Sequence, residues 1–329
     1  MPRPRLAVIN VVVAIVGTAL LVFTVQRVGG WAGIVDGITS IGWWFAAVVL
    51  LGAFRMACRT RAWMVCVKQI GRSSGGAGSE LPFIDAFSAW IFSDAMGNLT
   101  PLGLLASEPA KILMVRSKIS TVASIASVTI ENVFYTTSVC AVLLSGTWLF
   151  LQRANVPPGL EQISELILAA VAIAAVVGVW VVRTRPAVLS KFAPIVAKLA
   201  GKAEASAESL RAVEAQIYAV PQWPLGRIAQ VGLWEIAFHL GAVAEVWLVL
   251  RLLVPDITVA EAFLLESAGR FVTVAFKFVP YRLGIDEAGS GAVATALGLP
   301  PATGVTLALI RRLRIIVLNA VGLLRLVRK

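Results

Sequence analysis

The sequence predicts an all-α polytopic membrane protein, with about six full transmembrane helices plus two re-entrant broken-helix hairpins arranged as an inverted repeat. Three observations carry that prediction. The 329 residues are 58% hydrophobic and 14% charged, with a mean hydropathy of +0.85, whereas a soluble domain is about 25% charged. Six apolar runs approach or exceed the roughly 20 residues that cross about 30 Å of hydrocarbon as a helix. Two further apolar segments, one in each half, are interrupted by proline and glycine at matching places.

The apolar runs are residues 6–25, 41–67, 119–152, 166–182, 228–254 and 303–325. Arg3 and Arg5 precede the first, as in a signal peptide, but its length and the lack of a small-x-small site before Arg27 predict a retained span. Basic residues gather between runs: Arg59, Arg61, Lys68 and Arg72, then Lys111, Arg116 and Lys118, then Arg183, Arg185, Lys191, Lys198 and Lys202, then Arg328 and Lys329. If the spans alternate, all lie on one side. Both termini are then cytoplasmic and the setting is an inner membrane. Trp31, Trp43, Trp44, Trp148 and Trp247 fall near the opposite interface, and Trp63, Trp180 and Trp223 near the cytoplasmic one.

A net charge of +11 and a pI near 10.2 would suggest nucleic acid in a soluble protein. Cytoplasmic loops account for the charge here, so no nucleic-acid partner is expected. Cys58, Cys66 and Cys140 show no ligand spacing and read as packing residues, and no metal or cofactor is expected. Residues 73–79 are a Gly/Ser-rich linker without a phosphate-loop pattern. Residues 191–218 mix spaced apolar residues with Lys, Glu and Ser, as an amphipathic surface helix does. The expected organisation is one membrane domain over 1–329. Pseudo-repeats span about 1–152 and 165–329, joined by a cytoplasmic amphipathic connection over about 186–225.

The broken segments are 82–117, centred on Asn98-Leu99-Thr100-Pro101-Leu102-Gly103, and 260–298, centred on Val279-Pro280-Tyr281-Arg282-Leu283-Gly284. Such breaks inside a membrane are tolerated only where protein or water satisfies the freed backbone. They read as re-entrant hairpins, the first entering from the cytoplasm and the second from outside. Each half then runs span, span, broken hairpin, span, in opposite orientation. Pro101 precedes Glu108 by seven residues, and Pro280 precedes Glu287 by seven. This is a transporter-like plan with a site at the midplane.

Each break leads to a short helix expected to carry acids in its first turn, in Ser107-Glu108-Pro109 and in Asp286-Glu287-Ala288. Ser107 and Asp286 read as N-caps, and Glu108 and Glu287 stabilise helix ends while leaving those ends able to face a ligand. Arg270, Lys277 and Arg282 surround the second break, and Arg311, Arg312 and Arg314 lie inside the last span. A buried arginine costs roughly 2.5–3.5 kcal/mol on insertion scales, so these need partners, and an anionic ligand is one. Glu266 and Arg270 form a local i,i+4 pair, whereas Arg311 and Arg314 have no acid nearby in their own helix. The substrate-binding candidates are Asn98, Pro101, Glu108, Lys111, Arg270, Lys277, Arg282, Asp286, Glu287, Arg311, Arg312 and Arg314. Asp94, Glu131 and Glu235 are charge partners or proton carriers, and His239 reads as a satisfied core histidine. No nucleophile elbow or two-histidine metal motif is present in the sequence.

These motifs give the chain its likeness to a known family. Asn98-Leu99-Thr100-Pro101 with Glu108-Pro109-Ala110-Lys111 resembles the Pro-to-Gly-Gly-Glu signature of the flippase-like membrane domain of lysylphosphatidylglycerol synthases. Val279-Pro280-Tyr281-Arg282-Leu283-Gly284-Ile285-Asp286-Glu287 resembles that family's Pro-Gly-Gly-Leu-Gly-x-x-Glu motif, and Leu309-Ile310-Arg311-Arg312 its arginine-bearing last helix. The likeness runs the whole chain, as a free-standing member without the aminoacyl-transfer domain. It departs at Ala106-Ser107 and Tyr281-Arg282, which stand where glycine pairs are usual, and Arg282 suggests a different or more anionic head group.

The resemblance implies flippase-like translocation of an anionic or polyprenyl-linked lipid between leaflets, with the bilayer as partner. The competing readings are a membrane enzyme acting on a lipid-linked sugar or phosphate, with Asp286 or Glu108 as base, and an accessory subunit of a lipid-modifying enzyme. A homo-oligomer is a further expectation.

Overall fold

The computed structural model describes residues 26, 30–73, 81–99, 103–152, 158–187, 191, 207–276, 279 and 282–327, and among them every regular element is helical. α1 is Gly30–Ile41 and α2 Phe45–Ser73, with a 3-10 turn at Gly42–Trp44 between them. α3 (Phe83–Leu99), α4 (Gly103–Val115), α5 (Thr121–Leu151) and α6 (Pro158–Thr184) complete the first part. α7 (Ala207–Tyr218), α8 (Leu225–Leu253), α9 (Val259–Ala275), α10 (Ile285–Ala296) and α11 (Pro301–Val327) follow.

The chain is a multi-pass membrane protein. Ile38–Arg72, Thr121–Leu151, Glu161–Val181 and Leu225–Leu253 are long and apolar enough to cross a bilayer. α11 has the length, 27 residues, but carries Arg311, Arg312 and Arg314 in its middle. The expected first span, 6–25, lies outside the described residues, as do Arg3, Arg5, Arg328 and Lys329. α6 shows most directly what surrounds the molecule. Leu166, Ile173, Val176, Val179 and Trp180 are all exposed, and a helix apolar around its circumference is solvated by lipid.

α3 and α4 have 17 and 13 residues, and α9 and α10 have 17 and 12. At 1.5 Å per residue the shorter member of each pair reaches only about 20 Å, less than the hydrocarbon thickness. Pro101, Lys277, Pro280 and Tyr281, at the breaks, lie outside the described residues.

Local chemistry sets several ends. Ser120 caps α5 by accepting from the Ala123 N–H at 3.2 Å. Thr258 and Glu261 form a reciprocal capping box at α9, with the Thr258 N–H donating to Glu261 Oε2 at 2.8 Å. Tyr218 Oη donates to the Pro186 carbonyl at 2.6 Å, tying the end of α7 to the chain leaving α6.

α2 and α8 are the central pair, packed along their length, with α3 against α11 and α5 against α9 on either side. Close approach is bought with glycine: a Cβ on Gly304 would lie 2.1 Å from the Ser290 carbonyl oxygen, so α11 runs against the α10 backbone. Two aromatic placements differ from expectation. Trp63 and Trp223 are buried rather than interfacial, and Trp63 Nε1–H donates to Ser127 Oγ at 3.0 Å. An indole whose N–H finds a partner inside has no need of the interface. Trp43, Trp44 and Trp148 are exposed.

Candidate functional site

Between these helices lies a polar cavity of about 250 Å³. α2 contributes Arg55 and Arg59; α3 contributes Asp94 and Asn98; α4 contributes Glu108 and Lys111. From the second half come Arg270 on α9, Arg282 and Asp286 at the start of α10, and Arg311, Arg312 and Arg314 on α11. The structure therefore brings Asp94, Asn98, Glu108, Lys111, Arg270, Arg282, Asp286, Arg311, Arg312 and Arg314 to one cavity. Glu131, Glu235 and Glu287 stand behind the lining as ion-pair partners, and Pro101 and Lys277 lie outside the described residues.

The guanidinium groups in the wall are held by protein carboxylates. Glu245 of α8, fully buried, takes Arg55 at 2.6 Å, also pairs with Arg314, and lies 3.8 Å from Arg311. Glu266 takes both Arg270 and Arg311 at 2.7 Å. Arg59 bonds Glu131 at 2.6 Å, lies 3.7 Å from Glu235, and stacks its guanidinium 3.5 Å over the Tyr135 ring. The result is a ladder in which acids of α5, α8 and α9 neutralise arginines of α2, α9 and α11.

One expectation is corrected here and two are extended. Arg59 is not a loop cation; it is buried in the middle of α2, with Arg55 one turn earlier on the same face. Arg311 and Arg314 have no acid in their own helix, as expected, and are paired instead with acids of α8 and α9. The local Glu266–Arg270 pair is present, but Glu266 also serves Arg311.

The hairpin tips are built differently from each other. α4 begins at Gly103, so Ser107 and Glu108 lie in its second turn rather than its first, and Pro109 is inside the helix. Glu108 pairs with Lys111 at 3.1 Å. The Lys111 ammonium sits 3.6 Å over the Trp90 ring at 2% exposure, a cation held by a π-face and one acid. Asn98 donates to Asp94 at 2.9 Å. At α10 the cap is Gly284, not Asp286; its N–H donates to Glu287 Oε2 at 2.8 Å, while Arg312 reaches the same carboxylate at 2.5 Å. Glu287 thus serves as helix-end acceptor and ion-pair acid together.

Arg282 has φ +47°, a left-handed conformation that favours glycine and costs a bulky side chain roughly 1–2 kcal/mol. It stands where the resembled motif has glycine. The strain is retained with two contacts: its Nε donates to Asp286 at 3.1 Å and its carbonyl accepts from Arg312 at 3.2 Å.

Several charged cavity side chains remain partly open. Arg311 is 19% exposed, Arg282 13%, Asp286 21% and Glu108 23%. With Asp94 and Asn98, also partly open, these are groups a ligand can reach. Arg55, Glu245 and Tyr135 were not among the expected site residues. The available signal was a pair of arginines four apart in one apolar run, with two glutamates, Glu235 and Glu245, in another.

His239 is buried as expected, its Nε2 2.9 Å from Ser138 Oγ. Among the described residues no cluster of His, Cys, Asp and Glu has the makings of a metal site. Comparison with characterised proteins and with solved structures finds no match in either set. The signature of the lysylphosphatidylglycerol synthase transmembrane region does match, over residues 8–322, nearly the whole chain. The chain belongs to the lysylphosphatidylglycerol synthase transmembrane-region family.

Proposed function

We propose that the protein translocates an anionic or polyprenyl-linked lipid between the leaflets of an inner membrane, the head group passing through the arginine-lined cavity while the tail stays in lipid. The observation that carries this reading is a polar, charge-dense cavity enclosed by lipid-facing helices. The family links the chain to membrane lipids. Arg311 and Arg282 would meet the phosphate first, because a planar guanidinium matches phosphate oxygens in bidentate fashion and both are partly open. A phosphate arriving at Arg311 competes with Glu266, whose carboxylate keeps Arg270 when Arg311 turns to the ligand. The acids neutralise the empty site and are the candidates to carry protons during turnover.

An inverted repeat of 1–152 and 165–329 fits the way the helices pair. Exchanging the halves converts α2 into α8, α3 into α9 and α5 into α11, under which the packed pair α2 with α8 maps onto itself and the pair α3 with α11 maps onto α9 with α5. The short α4 and α10 suit re-entrant hairpins, with both termini and the 186–225 connection cytoplasmic. A second copy, or a lipid-modifying enzyme, is a partner compatible with the exposed α6.

The test is transport itself. Purified protein in liposomes should accelerate leaflet exchange of labelled phosphatidylglycerol without changing it covalently, and Glu108→Gln and Glu287→Gln should slow it while the protein stays folded. Chemical conversion of the lipid without exchange would replace this reading with the enzymatic one.

A further inference from the structure

At Arg59 the charge balance of the ladder is reversed. Glu245 and Glu266 divide the guanidinium groups of Arg55, Arg270, Arg311 and Arg314 between them. Arg59 instead has two acids: Glu131 Oε1 lies 2.6 Å from its Nε, and Glu235 Oε1 lies 3.7 Å from the same nitrogen. Among the described residues no other cation is ion-paired with either carboxylate. Glu131 is 0% exposed and Glu235 2%, and both stand in helices that cross the membrane, α5 and α8.

Two carboxylates desolvated beside a single cation repel each other, and one proton held between them removes that repulsion. The unpaired atoms point the same way. Glu131 Oε2 and Glu235 Oε1 are buried with no hydrogen-bond partner among the described residues, and the two carboxyl groups are within hydrogen-bonding reach of each other. A protonated carboxyl is a donor, so one proton supplies a bond that two bare carboxylates lack. The neighbouring charges are engaged elsewhere. On α2, Arg55 is turned to Glu245, and the Cys58 and Cys66 thiols lie close to the pair. Lys111 of α4 is bonded to Glu108, and Arg270 of α9 to Glu266. Tyr135 of α5 stacks on the Arg59 guanidinium, His239 of α8 contacts Ser138, and α7 meets α5 through Val213 and Ile217.

We propose that Glu131 and Glu235 form a proton-binding site, one proton shared between their carboxyl groups, and that this proton is bound jointly with an anionic head group in the cavity. Arg59 is the link, since it lines the cavity and also holds the pair. With the proton in place Arg59 and its two acids carry no net charge, and the excess of cations around Glu245 and Glu266 attracts a phosphate. Without it the wall gains a negative charge and holds the anion less tightly. By linkage the anion equally holds the proton. The identity of the anion rests on the translocation reading; the shared proton does not.

Infrared difference spectra of the full chain in phosphatidylcholine nanodiscs read the proton directly. The wild type should show a protonated-carboxyl C=O band that both Glu131→Gln and Glu235→Gln remove, because the acid left behind in each is a carboxylate paired with Arg59. Loss of the band in only one variant, or in neither, would overturn the sharing. Phosphatidylglycerol affinity in the same nanodiscs reads the joint binding. In the wild type it should fall about fivefold or more from mildly acid to alkaline buffer. Glu235→Gln keeps the shape of the loaded pair without its proton and should stay at the tight level throughout. The thiols, Tyr135 and His239 are unchanged in that variant, so a pH dependence that persists there overturns the linkage. Glu235→Gln leaves Glu131 on Arg59 and should resist SDS unfolding as the wild type does; a marked loss of stability would make Glu235 an ordinary counter-ion and overturn the proposal. Absence of phosphatidylglycerol binding at every pH would overturn the joint binding and the translocation reading for that lipid, with the infrared band still deciding the shared proton.

Discussion

Glu245 is the sharpest point at which to test the ion-pair ladder, because one carboxylate faces three guanidinium groups with no exposure of its own. With an effective dielectric of about 20, the attraction is about 6 kcal/mol for Arg55 at 2.6 Å and about 4 kcal/mol for Arg311 at 3.8 Å. Desolvating these ions has already offset much of that, so the informative quantity is the cost of leaving cations behind. Glu245→Gln keeps the shape and removes the charge, and is expected to cost about 3–5 kcal/mol, the range for orphaning one side of a buried pair. The measurement is reversible unfolding in mixed micelles with increasing SDS. Adding Arg314→Gln to that variant should return about 1–3 kcal/mol, since it removes one of the uncompensated cations. A loss below about 1 kcal/mol for Glu245→Gln would refute the ladder as a stabilising element. So would an Arg314→Gln effect that simply adds to the first.

Arg311→Ala should weaken phosphatidylglycerol binding about tenfold or more, whereas Arg227→Ala, at a half-buried cation outside the cavity, should not; Arg311→Lys should recover only part. Lipid affinities measured by native mass spectrometry check this, and equal affinities in folded Arg311 and Arg227 variants would remove Arg311 from the site. Gly304→Ala places a methyl 2.1 Å from the Ser290 carbonyl oxygen and should cost at least about 3 kcal/mol in the same unfolding assay, shifting α10 with Asp286 and Glu287. For topology, Glu208→Cys should react with an impermeant maleimide only from the cytoplasmic face and Asp256→Cys only from outside, in a background with the three native cysteines replaced. Labelling of both from one face would contradict the orientation assigned to α8.

The fold class and the family were legible in composition, apolar run length and the two broken motifs, because these are local properties of the chain. The clustering of Asp94, Asn98, Glu108, Lys111 and the α11 arginines in one cavity followed from the assumption that buried charges gather. Their partners were not legible. Arg59 meets Glu131 across 72 residues and Arg55 meets Glu245 across 190, and no periodicity relates residues so far apart. Positive charge near the end of an apolar run was read as loop, although Arg55 and Arg59 share one helical face. The start of α4 was misplaced because Pro109 reads as a first-turn proline, whereas the helix has already run for more than a turn from Gly103.

The long reach of these pairs bears on how the chain enters the membrane during synthesis. Arg55 is delivered 190 residues before Glu245 exists, which at 5–20 residues per second is roughly 10–40 s. During that interval α2 holds two arginines whose burial costs roughly 2.5–3.5 kcal/mol each, and Glu131, 72 residues later, relieves only Arg59. The first half is therefore born incomplete. A chain stopped after α6 should keep α2 loosely held at the translocon or exposed to quality-control proteases, and co-expressing the missing half, with its Glu245, should rescue it in trans.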